Sequence, residues 1–366
     1  MKKHKIFFLI PTLDGGGAER VMITLLKHMD YELFNVYFIV VNLHNQAFLE
    51  SVDKRAKLVD LNIKRVSNAL PKIIYLIWKH RPKLVFSTLG HLNLALASVK
   101  FLLPSSVRTI ARETNLVSYE VKNNKYPDAW IWLYKAVYKR HDLIICQSQD
   151  MLDDVVEIIG AQGNKLKVIN NPVDIESIKE LADCNNVIQY NIKGGLVLIS
   201  AGRLAPQKGF DVLIEAISLI DADIHLIIAG TGMEESKLKF LSEEKGVSDR
   251  VHFIGFQNNL YAWIACADAY ILSSRYEGFP NVLLEALACG KSIIATPTPG
   301  GIKEILSDIE GCVITNGMSA KSLADGIKRW RNLPYHDIKG SDIAKYSAVK
   351  ICQEYQKVFI SLCNYE

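Results

Sequence analysis

Short, almost wholly apolar runs recur along the chain at residues 6–12, 36–41, 84–88, 108–111 and 143–148. They resume at 196–201, 225–229, 251–255, 269–274, 292–296 and 312–315. Unbroken runs of this length, without polar alternation, predict strands buried on both faces, as in parallel sheets. Helical patterns at 18–28, 73–79, 92–101 and 129–138 lie between the first five, and another at 151–159 follows the fifth. The alternation predicts an α/β protein with two doubly wound, Rossmann-like parallel sheets, each carrying helices on both faces. Asn170-Asn171-Pro172-Val173-Asp174 and the polar stretch on to Gly194-Gly195 read as a linker. The expected domains are therefore 1–172 and 190–345, with a last helical pattern beginning at residue 346. No repeat with a period of 20–50 residues is visible beyond the strand–helix rhythm itself. Sheets of this kind bind ligands beyond the carboxyl ends of their strands, so two such domains predict a site in the cleft between them.

Composition narrows the class. With 366 residues, 49% of them hydrophobic and 22% charged, the chain is long enough for two cores and too apolar for disorder. The seven cysteines are odd in number, scattered, and never spaced Cys-x-x-Cys, which points to reduced thiols in a cytoplasmic protein. No apolar run approaches the roughly 18–20 residues that span a bilayer. The opening Met1-Lys2-Lys3-His4-Lys5 is basic like a signal peptide, but its apolar stretch ends at Pro11. A buried first strand is expected there. The net charge of +4 divides unevenly, because residues 1–170 carry 24 Lys and Arg against 15 Asp and Glu, whereas 171–366 carry 19 against 24. The first half is thus expected to meet something anionic, against the alternative of an unevenly charged solvated surface.

The candidate chemistry lies at strand ends. After the first strand, Gly15-Gly16-Gly17-Ala18-Glu19-Arg20 opens a helix, where glycines permit close approach and free N–H groups attract phosphate. A tight connection alone would look the same. After 196–201 come Gly202-Arg203 and Lys208-Gly209, two cations that can clamp a diphosphate or simply be exposed. Gly230-Thr231-Gly232 adds another close turn after the next strand. The most informative stretch is 274–290, which contains Glu277-Gly278-Phe279-Pro280-Asn281 and an apolar helix carrying Glu285. Pro280 fits a first helical position and Gly290 a residue past the end. A carboxylate on a buried helix needs a hydrogen-bonding partner, since burying it alone costs several kcal/mol. Glu277 precedes the helix, and the N–H groups of Asn281, Val282 and Leu283 are expected to be free donors. Loop and helix together thus offer an anion site and two carboxylates for hydroxyl groups; capping by Glu277 and a surface pair for Glu285 is the structural alternative. Arg112-Glu113-Thr114-Asn115 ends the strand at 108–111; Arg112 and Glu113 either pair with each other or face the cleft.

Taken in order, Gly-Gly-Gly-Ala-Glu-Arg, Gly-Arg-x4-Lys-Gly, Glu-Gly-Phe-Pro-Asn-x3-Glu-Ala and Pro-Gly-Gly-x2-Glu resemble the family-4 retaining glycosyltransferases of the two-Rossmann B-type fold. The resemblance covers nearly the whole chain, and its strongest part is Glu-x7-Glu, met by Glu277 and Glu285. It implies that Arg203 and Lys208 bind the donor diphosphate, that Glu285 takes the ribose hydroxyls, and that Glu277 approaches the donor sugar. It places phosphate and sugar oxygens on the backbone of Asn281, Val282 and Leu283, with Gly230 as a further close-approach turn. Gly16 and Gly17 would let the first domain close over the diphosphate. No metal and no other cofactor are implied, because cations and helix starts neutralise the leaving group; the reaction would be front-face displacement with retention. Thr114 departs from the pattern, standing where many relatives carry a histidine in a Ser-Glu-His-like motif, and His91 is another acceptor-side candidate, with a structural histidine as its alternative. The last helix, 346–366, would pack back on the first domain.

Such enzymes imply a nucleotide-sugar donor, with UDP as the expected nucleotide and a hexose or N-acetylhexosamine as the sugar, and a polyprenyl-diphosphate-linked saccharide as acceptor in surface-glycan assembly. Residues 122–140 place Trp130, Tyr134 and Tyr138 at helical spacing beside Lys135, Lys139 and Arg140. That pattern suits a lipid headgroup interface or, alternatively, a core-facing aromatic stripe. Residues 92–103, with Lys100, are a second candidate. The expectation is a cytoplasmic enzyme peripherally attached to the anionic inner membrane surface, with no nucleic-acid partner. A B-type nucleotide-sugar epimerase and a non-catalytic nucleotide-sugar-binding subunit are the competing readings.

Overall fold

In the computed structural model, residues 3–44, 48–122, 124–160, 163–183, 195–220 and 223–364 are described. Cys184, Asp221 and the linker residues 184–194, which include the expected start of the second domain at 190, lie outside them. The chain divides into two compact units, Met1–Pro172 with Tyr346–Glu366, and Val173–Lys345.

The first unit is a seven-stranded parallel sheet of β1 (His4–Ile10), β2 (Phe34–Val40), β3 (Lys57–Asp60), β4 (Leu84–Thr88), β5 (Arg108–Arg112), β6 (Leu143–Cys146) and β7 (Leu166–Val168), in the order β3-β2-β1-β4-β5-β6-β7. Residues 6–10 and all of β4 are buried at consecutive positions, as continuous apolar strands covered on both faces must be. β3 and β7 escaped the sequence reading because they are short edge strands; Lys57, Leu58 and Asp60 of β3 are exposed. On one face α1 (Gly17–Lys27) packs with the last helix, α14 (Ala348–Asn364), whose Phe359 ring meets Phe8, Phe34 and Phe86. α2 (Val66–His80) and α3 (Gly90–Val99) bury another cluster around Ile73, Ile77, Leu92 and Leu96. A third cluster lies under α4 (Val117–Lys122), α5 (Pro127–Val137) and α6 (Gln149–Ile159). α2 begins seven residues before the expected 73 and runs through Pro71, which is exposed, while Ala69, Ile73 and Ile77 hold the inner face.

The second unit is a six-stranded parallel sheet of β8 (Leu196–Ala201), β9 (Ile224–Ala229), β10 (Val251–Gly255), β11 (Ala269–Leu272), β12 (Ser292–Ala295) and β13 (Val313–Ile314), ordered β10-β9-β8-β11-β12-β13. α7 (Ile175–Leu181) precedes the sheet, inside the stretch read as linker. α8 (Phe210–Ser218), α9 (Glu235–Glu244), α10 (Leu260–Cys266), α11 (Asn281–Ala288), α12 (Ile302–Leu306) and α13 (Ala320–Arg331) follow its strands in turn. In each sheet the strand order reverses once, between β1 and β4 and between β8 and β11. Open α/β sheets place their ligands beyond the carboxyl ends of the strands at such a reversal, so the loops after β1, β4, β8 and β11 are where chemistry is expected.

The aromatic stripe read from 122–140 turns inward. Tyr134 and Tyr138 are 2% and 0% exposed, and Trp130 is half-buried against the same cluster. The outer side of α5 carries Trp132 instead, 69% exposed. No helix among the described residues is long and apolar enough to cross a membrane.

Candidate active site

In the second unit the loops after β8, β9 and β11 are tied into one piece. Gly202 and Arg203 leave β8, and Lys208 follows in a single 3-10 turn, Pro206–Lys208. The Lys208 side chain crosses Gly202, where a Cβ would lie 3.1 Å from Lys208 Cε. Its Nζ reaches Glu277 Oε1 at 2.6 Å. The same carboxylate oxygen accepts the Ser274 hydroxyl at 2.6 Å, and Ser274 is fully buried. Both contacts fall on Oε1, leaving Oε2 with no partner among the described residues.

The frame around this pair is built from backbone bonds. Ser273 Oγ donates to the Lys208 carbonyl at 2.9 Å, Arg275 N donates to the Gln207 carbonyl at 2.7 Å, and Gln207 Nε2 donates to the Tyr276 carbonyl at 3.0 Å. Arg275 grips Asp211 through two bonds of 2.9 and 2.6 Å; that neighbour holds the Asp211 carboxyl below the usual range against the opposing effect of burial. Thr296 and Thr298 donate to the Ser274 carbonyl at 2.9 and 2.5 Å. Gly209 has φ +64°, and a Cβ there would strike the Ser273 carbonyl; only glycine serves. Gly230 lies against the Gly202 carbonyl in the same way, so the turn after β9 abuts the Arg203 loop.

Arg203 is exposed, and its guanidinium has no hydrogen-bond or ion-pair partner among the described residues. α11 begins at Asn281 with Pro280 as its N-cap, not as its first helical residue. Of the three expected free donors, Leu283 N–H is engaged, donating to the Pro280 carbonyl at 3.0 Å. Glu285 is 5% exposed on a helix buried from Leu283 to Ala288. The arrangement therefore offers a guanidinium, a lysine already neutralised by a carboxylate, and two acidic side chains at the strand-order reversal. An anionic ligand that draws Lys208 toward itself would leave Glu277 held by Ser274 and able to accept hydroxyl groups.

In the first unit, Gly16 is the N-cap of α1 and Gly17 its first residue. A Cβ on Gly16 would meet the Glu19 carboxylate. His91 is exposed in the first turn of α3, and Thr114 is half-buried just past β5. Arg112 and Glu113 neither pair with each other nor face outward, which corrects both readings of them. Arg112 is fully buried and donates to Tyr355 Oη at 3.2 Å, Thr88 Oγ1 at 3.1 Å and Asn171 Oδ1 at 2.5 Å. It ties the sheet to α14 and to the end of the unit. Glu113 is also fully buried; Asn93 Nδ2 donates to its Oε1 at 2.9 Å, while Oε2 has no partner. Burial, and then the Glu120 carboxylate, push its pKa up to about 8, and burial raises Glu120 to about 7. Sequence reasoning missed Ser274, Asp211 and Arg275 as members of the site; the signal for Ser274 was its place three residues before Glu277.

These features define a two-domain α/β protein with basic and acidic side chains gathered at the strand ends of its second unit. The chain matches Glycosyltransferase Family 4 over residues 15–177 and Glycosyl transferases group 1 over residues 186–348. Between them the matches take in nearly all of the chain, and it belongs to these B-type glycosyltransferases. It is 27% identical over 340 residues to a Campylobacter jejuni N-acetylgalactosamine-N,N'-diacetylbacillosaminyl-diphospho-undecaprenol 4-alpha-N-acetylgalactosaminyltransferase, covering 89% of each chain. It is 25% identical to an uncharacterised Haemophilus influenzae glycosyltransferase, covering 96% of this chain and 98% of the other. The crystal structure of Anabaena HepE with UDP and glucose shares the fold, with a TM-score of 0.81, 19% identity, and coverage of 98% and 100%.

Proposed function

We propose that the protein is a retaining glycosyltransferase that moves a hexose or N-acetylhexosamine from a nucleotide-sugar, with UDP as the nucleotide, to a polyprenyl-diphosphate-linked saccharide in bacterial surface-glycan assembly. The observation that carries the reading is the Lys208–Glu277 contact at 2.6 Å beside Arg203. Arg203 and Lys208 take the donor diphosphate, a planar fork and a point charge on one leaving group. Glu277, released from Lys208 and held by Ser274, accepts sugar hydroxyls, while Glu285 accepts those of the ribose. Asn281 and Val282 at the start of α11 supply backbone donors to the phosphate, and Gly230 lets the chain approach closely. As the C–O bond to the diphosphate breaks, the cations stabilise the charge that develops on the leaving oxygen, and that oxygen draws the proton from the incoming acceptor hydroxyl on the same face. No metal is needed for this neutralisation. Gly16 and Gly17 contribute close-approach backbone from the first unit, and His91 and Thr114 line the acceptor side.

The relatedness to an enzyme named for an undecaprenol-linked substrate supports the acceptor class, and the UDP complex of a protein with this fold supports the nucleotide. A lipid-linked acceptor places the working enzyme in the cytoplasm, against the inner face of the membrane. The test is a donor screen that reads nucleotide release with undecaprenyl-diphosphate saccharides as acceptors. Release that depends on both a UDP-sugar and a lipid-linked acceptor supports the reading. Conversion of the free nucleotide-sugar without acceptor would make the chain an epimerase. Transfer unchanged by Glu277→Ala in the native assembly would make it a binding subunit.

A further inference from the structure

Residues 61–112 contain nine Lys and Arg and no Asp or Glu. Residues 1–170 outside this stretch hold 15 of each sign, so the stretch accounts for the whole positive surplus of the first half. Three of the nine act internally: Lys100 and Arg108 pair with Asp142 at 2.8 and 3.2 Å, and Arg112 is buried. The other six, Lys64, Arg65, Lys72, Lys79, Arg81 and Lys83, are exposed on or beside α2 and have no ion-pair partner among the described residues.

The same helix face is aromatic. Tyr75 and Trp78, three residues apart and therefore neighbours on the outer side, are 59% and 47% exposed. Trp78 Nε1 donates to the Leu102 carbonyl at 2.9 Å, which joins α2 to the turn after α3. That turn exposes Phe101 at 73% and Leu102 at 46%. Each large ring carries a cation: Lys79 lies 5.7 Å from the Tyr75 centroid, Arg81 lies 4.1 Å from Trp78, and Arg140 lies 5.9 Å from Phe101. A solvated helix in a water-soluble domain has no need of such a surface.

We propose that the outer face of α2, with Phe101 and Leu102, is the surface by which this chain docks on an anionic lipid headgroup layer. The inference rests on the lipid-linked acceptor proposed above and names the face that meets the membrane. Indole and phenol rings suit the depth of the glycerol and headgroups, with long basic side chains reaching phosphate above them. Six unpaired cations on or flanking one helix match the diffuse charge of a bilayer, each contributing about five-fold to partition. The α5 helix that the sequence singled out buries its stripe, and exposes Trp132 as a lone ring.

The test is co-sedimentation of the full chain at low salt with phosphatidylcholine vesicles containing phosphatidylglycerol, and with phosphatidylcholine alone. Binding to the anionic vesicles only is expected. The pair Lys79→Gln with Arg81→Gln should weaken it about five-fold for each cation removed, and Trp78→Ala with Phe101→Ala should weaken it further. Thermal unfolding should be unchanged in the Lys79/Arg81 pair, and its transfer to a water-soluble acceptor analogue should stay at the wild-type rate. No binding of the wild type to anionic vesicles would overturn the proposal, as would variants that bind normally while Trp132→Ala does not. Loss of binding in the variants with no transfer to any polyprenyl acceptor supports the surface and counts against the acceptor assignment.

Discussion

Lys208 Nζ and Glu277 Oε1 lie 2.6 Å apart, and the carboxylate oxygen that meets the lysine is the one that also accepts from Ser274. The cation proposed for the leaving group and the carboxylate proposed to accept sugar hydroxyls thus hold each other in this structure. The relationship connects a loop after β8 to a loop after β11, the two strands that flank the reversal of strand order.

In the proposed reading Ser274 orients Glu277 and does not itself touch the donor. A hydrogen bond to a charged group contributes about 1.5–3 kcal/mol, so Ser274→Ala should lower kcat by about ten- to a hundredfold. KM for the nucleotide-sugar should change little, because Arg203 and Lys208 remain. Ser274→Thr, which keeps the hydroxyl, should recover much of the loss. Steady-state kinetics of the three proteins make the comparison, and a loss of equal size in KM would instead make Ser274 a general packing residue.

Gly209→Ala should reduce both stability and donor binding. A non-glycine residue in this left-handed conformation costs about 1–2 kcal/mol, and its Cβ would push against the Ser273 carbonyl, displacing the strand end that carries Glu277. Chemical denaturation and nucleotide titration of the variant give the two numbers.

Stability should fall as pH rises from about 4.5 to about 8. Glu113 is raised to about 8 by burial and the nearby Glu120, so the folded state binds its proton more tightly than the unfolded chain does. The contribution is fully present below the unfolded pKa and lost as pH climbs through the folded one. Glu113→Gln, which mimics the protonated acid, should flatten that part of the profile. Thermal unfolding at a series of pH values checks it, and parallel profiles would show that Glu113 does not titrate there.

Chelation should leave transfer intact, because the proposed diphosphate charge is met by Arg203 and Lys208. Rates measured with and without EDTA after exhaustive dialysis decide this; a loss restored by Mg²⁺ or Mn²⁺ would contradict it.

Much of this was legible in the sequence, for identifiable reasons. Strands buried on both faces announce themselves as continuous apolar runs, so the inner strands of both sheets were visible. β3 was not, since an exposed edge strand such as Lys57–Asp60 has no such run. Glu277 and Glu285 stood out because carboxylates in apolar surroundings need a reason. Arg112 and Glu113 stood out as a polar cluster at a strand end and proved structural, since sequence cannot distinguish a buried clip to Tyr355 and Asn171 from a ligand group. Helical spacing located the aromatic face of α5 but not its direction, and Tyr134 and Tyr138 point inward. The cationic face of α2 was hidden in plain composition, because the charge surplus was counted over the half-chain and not by segment.

The central claim is that Lys208 and Glu277 divide the donor between them, and isothermal titration of UDP against three proteins tests it most directly. Lys208→Ala should bind UDP at least about ten-fold more weakly than wild type, a loss of about 1.4 kcal/mol. Glu277→Gln should bind UDP as well as wild type or better, since Lys208 is freed, while losing sugar transfer. UDP affinity unchanged by Lys208→Ala, or lost on Glu277→Gln in a folded protein, would contradict the account.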